Sequence, residues 1–80
     1  MEKSIHTDEY EAVTQILKEL RGKAGLTQID LAELLGQSQS FVSKYERGER
    51  RLDVIQLRTV CATLDSSLLA FSKLLEKRLA

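Results

Sequence analysis

Residues 25–53 read GLTQIDLAELLGQSQSFVSKYERGERRLD, and the caps, glycines and apolar spacings in this run decide the fold. Thr27 offers an N-cap hydroxyl, and Asp30 falls in the first turn beyond it, near the positive end of a helix dipole. Leu31, Ala32 and Leu35 make a short apolar stripe, and Gly36 stops the helix about two turns after it began. Ser38 is again a good N-cap. The helix it opens runs to Arg47, with Val42 and Tyr45 as its inward stripe and Gly48 as its stop.

The spacing between these two short helices constrains their geometry. Counting Gln28 as first, Ala32 is the fifth residue, Gly36 the ninth, Val42 the fifteenth and Tyr45 the eighteenth. Two helices crossing at roughly 90–120° come closest at the turn, which demands a small residue at Ala32. Gly36 can take the positive φ that reverses a chain in few residues. Leu31, Leu35, Val42 and Tyr45 then fill the wedge. This is a helix-turn-helix.

Working outward, Tyr10, Val13, Leu17, Leu20 and Ala24 recur on one helical face that ends at Gly25, a residue suited to the left-handed cap. Gly22 interrupts that helix at a cost of ~1 kcal/mol. Downstream, Asp53 and Gln56 have the spacing of a capping box. Val54, Leu57, Val60, Cys61 and Leu64 follow as the buried face of a fourth helix. Ser66 or Ser67 caps a fifth, carrying Leu68, Leu69, Phe71, Leu74, Leu75 and Leu79. No stretch alternates apolar and polar over strand length, and there is no proline. The expectation is an all-α single domain over 1–80, with a core from about 13 to 70, a helical extension over 71–80 and a frayed segment 1–7.

Composition narrows the function classes. Twelve basic and twelve acidic side chains cancel, so affinity for nucleic acid must come from local placement of charge. One cysteine cannot form an internal disulfide, and Cys61 on the apolar stripe reads as a core residue. One histidine, His6, gives no metal site, and one His and one Cys on separate elements do not assemble an enzyme centre. No cofactor is expected. Apolar runs are too short to span a membrane, and the N-terminus lacks an apolar signal core, so a cytoplasmic protein with no membrane partner is expected.

The motifs LTQ, LAELLG and SQSFVSKYERGER, followed by the capped fourth helix, closely resemble the Cro/phage-repressor or XRE (xenobiotic response element) family, over residues 13 to about 70. The sequence departs at Leu52, where that family often has proline, and at Asp65, where it often has glycine. The resemblance implies a five-helix, lambda-repressor-like DNA-binding domain with the helix-turn-helix at its second and third helices. It implies a regulator of transcription, a repressor, that binds duplex DNA as a homodimer. An antitoxin paired with a toxin, a restriction–modification controller, or a protein-interaction module without DNA binding are the alternatives. The resemblance also implies a structural ion pair between Arg21 and Glu46, and a phosphate contact for Gln28.

With Val42 and Tyr45 inward, Gln39, Ser40, Ser43 and Lys44 fall on the outward face of the third helix, with Ser38 at its cap. A recognition helix enters the major groove by that end. Gln39 suits adenine N6 and N7, and Lys44 suits guanine or a phosphate; the bland alternative is a solvated polar face. Phe41 projects outward by periodicity and suits a thymine methyl or a sugar, or else packing on a loop or partner. Thr27 and Gln28 stand at a helix N-terminus that suits a phosphate. Arg50 and Arg51 read as backbone clamps, with Arg47 beside them. Leu69, Leu74 and Leu79 face away from Leu68, Phe71 and Leu75, an arrangement that suits a homodimer spanning a palindromic operator; covering Ile5 of the same chain is the alternative.

Overall fold

Capping side chains delimit nearly every element of this chain. The structure, a computed structural model, describes residues 8–80. Ile5, His6 and the fraying expected of residues 1–7 lie outside the described residues. The elements are α1 (Asp8–Lys23), α2 (Gln28–Leu35), α3 (Gln39–Glu46), α4 (Val54–Thr63) and α5 (Leu68–Leu79), with no strand among the described residues.

Helix α1 carries acids in its first turn and Arg21 and Lys23 in its last, both matched to the dipole. Before α2, Thr27 Oγ1 accepts from the Asp30 backbone N–H, and the Thr27 N–H donates to Asp30 Oδ2, each at 3.0 Å. The reciprocal box goes further than the cap and dipole contact expected of these residues. Gly36 ends α2 at φ 68°, in the left-handed region that lets the chain turn straight into α3. Ser38 caps α3, Asp53 and Gln56 form the expected box on α4, and Ser67 rather than Ser66 caps α5. Asp65 sits at φ 64°, so the turn keeps the glycine-like conformation without the glycine.

The core is Ile16, Leu17, Leu31, Ala32, Val42, Tyr45, Val60, Cys61, Leu64 and Phe71, drawn from all five helices. Two readings of the sequence need correction. Ile16 and Ala12 are buried although the single stripe on α1 omitted them, because α1 packs against both α3 and α5 and buries a wider face. Ala24 and Val54 are exposed although the stripes included them. Ala24 lies past the last turn of α1, and Val54 is the first residue of α4, beyond the edge of the core.

Candidate nucleic-acid interface

The outward side of α3 is built from inside. Val42 and Tyr45 are fully buried against the core, which turns Gln39, Ser40 and Lys44 to solvent and leaves Ser43 half-buried. Glu46, at the end of α3, is buried as a carboxylate and accepts three hydrogen bonds. Arg21 gives it Nε at 2.7 Å and Nη2 at 3.1 Å, a bidentate pair. Gln28 Nε2 gives the third, at 2.9 Å. Arg21 also donates Nη1 to the Leu26 carbonyl at 2.9 Å, so one guanidinium ties α1 to α3 and to the turn before α2. The Glu46 hydrogen bond raises the Arg21 pKa above its ordinary value.

This network reaches the surface. An ionised carboxylate accepts only, so the Gln28 amide must present nitrogen to Glu46, which aims its oxygen elsewhere. That oxygen accepts from Gln39 Nε2 at 3.4 Å. The chain Arg21–Glu46–Gln28–Gln39 therefore joins three helices and ends on an exposed amide at the start of α3. The sequence pointed to Gln28 as a helix N-terminal residue, with nothing local to show that its side chain faces Glu46.

The other singled-out residues fall into two groups. On the α3 side, a shallow depression of about 250 Å³ is lined by Gln37, Ser38, Ser40, Phe41, Lys44 and Arg50. Ser38 Oγ is used as the cap acceptor for the Phe41 N–H. Thr27 is exposed, but its N-terminus already holds the Asp30 carboxylate, whose pKa is lowered by hydrogen bonds from the Thr27 backbone and hydroxyl. Arg47 donates Nε and Nη2 to Glu49 at 3.0 and 3.1 Å and also reaches Ser43 Oγ.

Phe41 does not project freely outward. Its ring is half-buried, meets Tyr45 edge-on at 5.7 Å, and has the Arg50 guanidinium 4.9 Å above it. The periodicity of α3 missed this because Phe41 packs at the edge of the core and lines an open groove with Leu35 of α2 and Ile55 and Val60 of α4. Arg51 leaves the α3 side altogether. Its guanidinium lies 4.6 Å over Tyr10, in a groove shared with Glu9, Val13, Leu75 and Leu79.

Leu69, Leu74 and Leu79 are 68 %, 43 % and 42 % exposed. Successive members are five residues apart, about 140° around a helix, so no single flat contact on α5 takes all three. Cys61 is buried without a partner cysteine, and burial pushes its thiol up to about 11. Among the described residues no group of three or more His, Cys, Asp or Glu side chains could hold a metal, and no single helix is long and apolar enough to cross a membrane.

The helix-turn-helix family profile matches residues 17–71. The chain belongs to the XRE-type helix-turn-helix family. An XRE-family-like protein from Pseudomonas syringae pv. tomato is similar at 43 % identity and a TM-score of 0.85, over 95 % of this chain and 93 % of that one. A variant of the restriction–modification controller protein C.Esp1396I is similar at 29 % identity and a TM-score of 0.82, over 91 % of this chain and 92 % of that one. The clp gene regulator ClgR from Corynebacterium glutamicum is similar at 28 % identity and a TM-score of 0.77, over 85 % of this chain and 72 % of that one. Comparison with curated proteins gives no match. This XRE-type protein is a DNA-binding transcriptional regulator and not an enzyme.

Proposed function

We propose that this XRE-type regulator acts in the cytoplasm as a repressor, reading a palindromic operator with the outward face of α3. The observation that carries the reading is Gln39, exposed at the first turn of α3 yet braced from behind through Gln28 and the buried Glu46. Bracing one N–H leaves the amide oxygen and the second N–H for the N6 and N7 edge of adenine. Ser40, Ser43 and Lys44 extend the same face along the major groove. Arg50 supplies a phosphate contact from the loop after α3. The N-caps Thr27 and Ser38 lie toward the backbone at either side, with the Gln28 backbone N–H at the start of α2 beside Thr27. Two copies with their third helices one DNA turn apart, ~34 Å, match a two-fold operator. One flank of α5, that of Leu69 or that of Leu74, is the apolar surface for that pairing.

Selection of bound sites from random duplex DNA tests the reading. Wild type should yield a symmetric motif, and Gln39→Ala should lose ~1–3 kcal/mol on it and relax one position in each half. An unchanged motif at unchanged affinity would remove Gln39 from base reading. Control of restriction–modification genes is the second reading, favoured by the similarity to C.Esp1396I over most of both chains.

A further inference from the structure

Four arginines stand near α3 or the loop after it, each with its own partner. Arg21 is in the buried network, Arg47 is paired with Glu49, and Arg51 lies over Tyr10. Arg50 is stacked on Phe41, on the side of the molecule where Ser40 and Lys44 are exposed. The platform beneath it is stiff on one side. Phe41 meets Tyr45 at an interplanar angle of 75°, and Tyr45 is fully buried. A guanidinium held over a ring keeps the N–H groups that do not point into the ring available for hydrogen bonds.

We infer that Phe41 is a positioning residue that holds the Arg50 guanidinium against α3 as a preformed fork for a phosphodiester oxygen, and is not itself a base contact. This rests on the duplex-binding reading above. A long cationic side chain loses rotamer freedom when it binds a phosphate, and one already ordered in the free protein loses less. The backbone before and at Arg50 is held by the Glu49 N–H donating to the Lys44 carbonyl at 2.8 Å and the Tyr10 hydroxyl donating to the Arg50 carbonyl at 3.5 Å. The aromatic ring then sets the direction of the side chain. A thymine contact through the face that Arg50 covers would remove the guanidinium from the ring.

Two measurements test this. In the free protein, NMR should show the Arg50 side-chain protons shifted upfield by the Phe41 ring, and the shift should vanish in Phe41→Leu while the thermal midpoint confirms a folded chain. On the selected duplex, Phe41→Leu should weaken binding about two- to fivefold in the wild-type background, and Arg50→Ala should lower the salt slope. Adding Phe41→Leu to Arg50→Ala should then cost nothing further. An equal Phe41→Leu loss in both backgrounds, or a change of selected base, would make Phe41 a direct contact and overturn the inference. So would the absence of the ring-current shift. If wild type binds no duplex, the inference falls with the reading beneath it, but the ring-current shift persists and tells the two failures apart.

Discussion

The joint of α1, α2 and α3 and the surface of α5 solve opposite problems with the same kinds of side chain. At the joint, one glutamate and one arginine are taken out of water, with the Arg21 and Glu46 side chains only 19 % and 1 % exposed, and every charge is met by hydrogen bonds. On α5 the corresponding ion pair, Arg78 with Glu19 at 2.9 Å, is open to solvent on both sides. Apolar groups are reversed as well. Val42 and Tyr45 of α3 are enclosed, whereas α5 leaves Leu69, Leu74 and Leu79 partly in water, as the outer face of α2 leaves Ile29 and Leu34. The joint fixes a shape, and α5 keeps surface in reserve.

The largest effect should come from dividing the two ion pairs. Arg21→Ala leaves the buried Glu46 carboxylate with Gln28 alone, and removing one partner of a buried pair costs about 3–5 kcal/mol. Against a total of roughly 5–15 kcal/mol for a domain, that approaches unfolding. Arg78→Ala should cost about 0–1 kcal/mol, since exposed pairs are screened. Urea denaturation of both variants measures the gap, and similar losses would erase the contrast between the two regions.

Next comes the reserve surface itself. Leu69 and Leu74 stand about 140° apart on α5, so a two-fold interface that buries one leaves the other in water. Leu69→Ser and Leu74→Ser should therefore differ, one weakening self-association about tenfold or more and the other leaving it unchanged. Sedimentation of both variants decides which flank pairs. Equal effects, or a wild type that stays monomeric on DNA, would return these leucines to ordinary surface.

What the sequence disclosed follows the same division. Caps are local, so Thr27, Ser38 and Asp53 located α2, α3 and α4 to within a residue, and Gly36 announced the turn. Side chains whose direction depends on distant elements were misread. Ile16 is buried because α5, some fifty residues on by the sequence, closes over α1 beside α3. Arg50 and Arg51 are neighbours of one type in a loop without periodicity, and rings from α3 and α1 send them to opposite sides. The Gln28 to Glu46 bond spans eighteen residues and follows only once α2 and α3 are docked.

A smaller test lies in the core beside the joint. The Tyr45 hydroxyl is buried with no hydrogen-bond partner among the described residues, and burial raises its pKa, so it stays protonated throughout the ordinary range. An unmet buried hydroxyl is a desolvation cost that phenylalanine avoids. Tyr45→Phe should therefore be neutral or stabilise by about 1 kcal/mol in thermal unfolding, in contrast with the loss at Arg21. A clear destabilisation would mean that the hydroxyl has a partner, such as an ordered water, and that the polar network extends further than Glu46.

The smallest effect concerns Asp30, exposed at the start of α2, where it closes the box with Thr27. Hydrogen bonds from Thr27 lower its pKa below the ordinary 3.8. A group whose pKa falls on folding stabilises the folded state fully above its unfolded value, and that contribution disappears as pH drops through the folded one. Asp30→Asn should thus lower the thermal midpoint slightly at pH 7, where the carboxylate also favours the helix dipole. The difference from wild type should shrink only below about pH 4, once the wild-type carboxylate takes up its proton. A difference that stays constant down to pH 2.5 would show that the asparagine loss is one of geometry rather than charge. The box would then be holding the turn before α2 by shape, as Arg21 holds it from the other side through the Leu26 carbonyl.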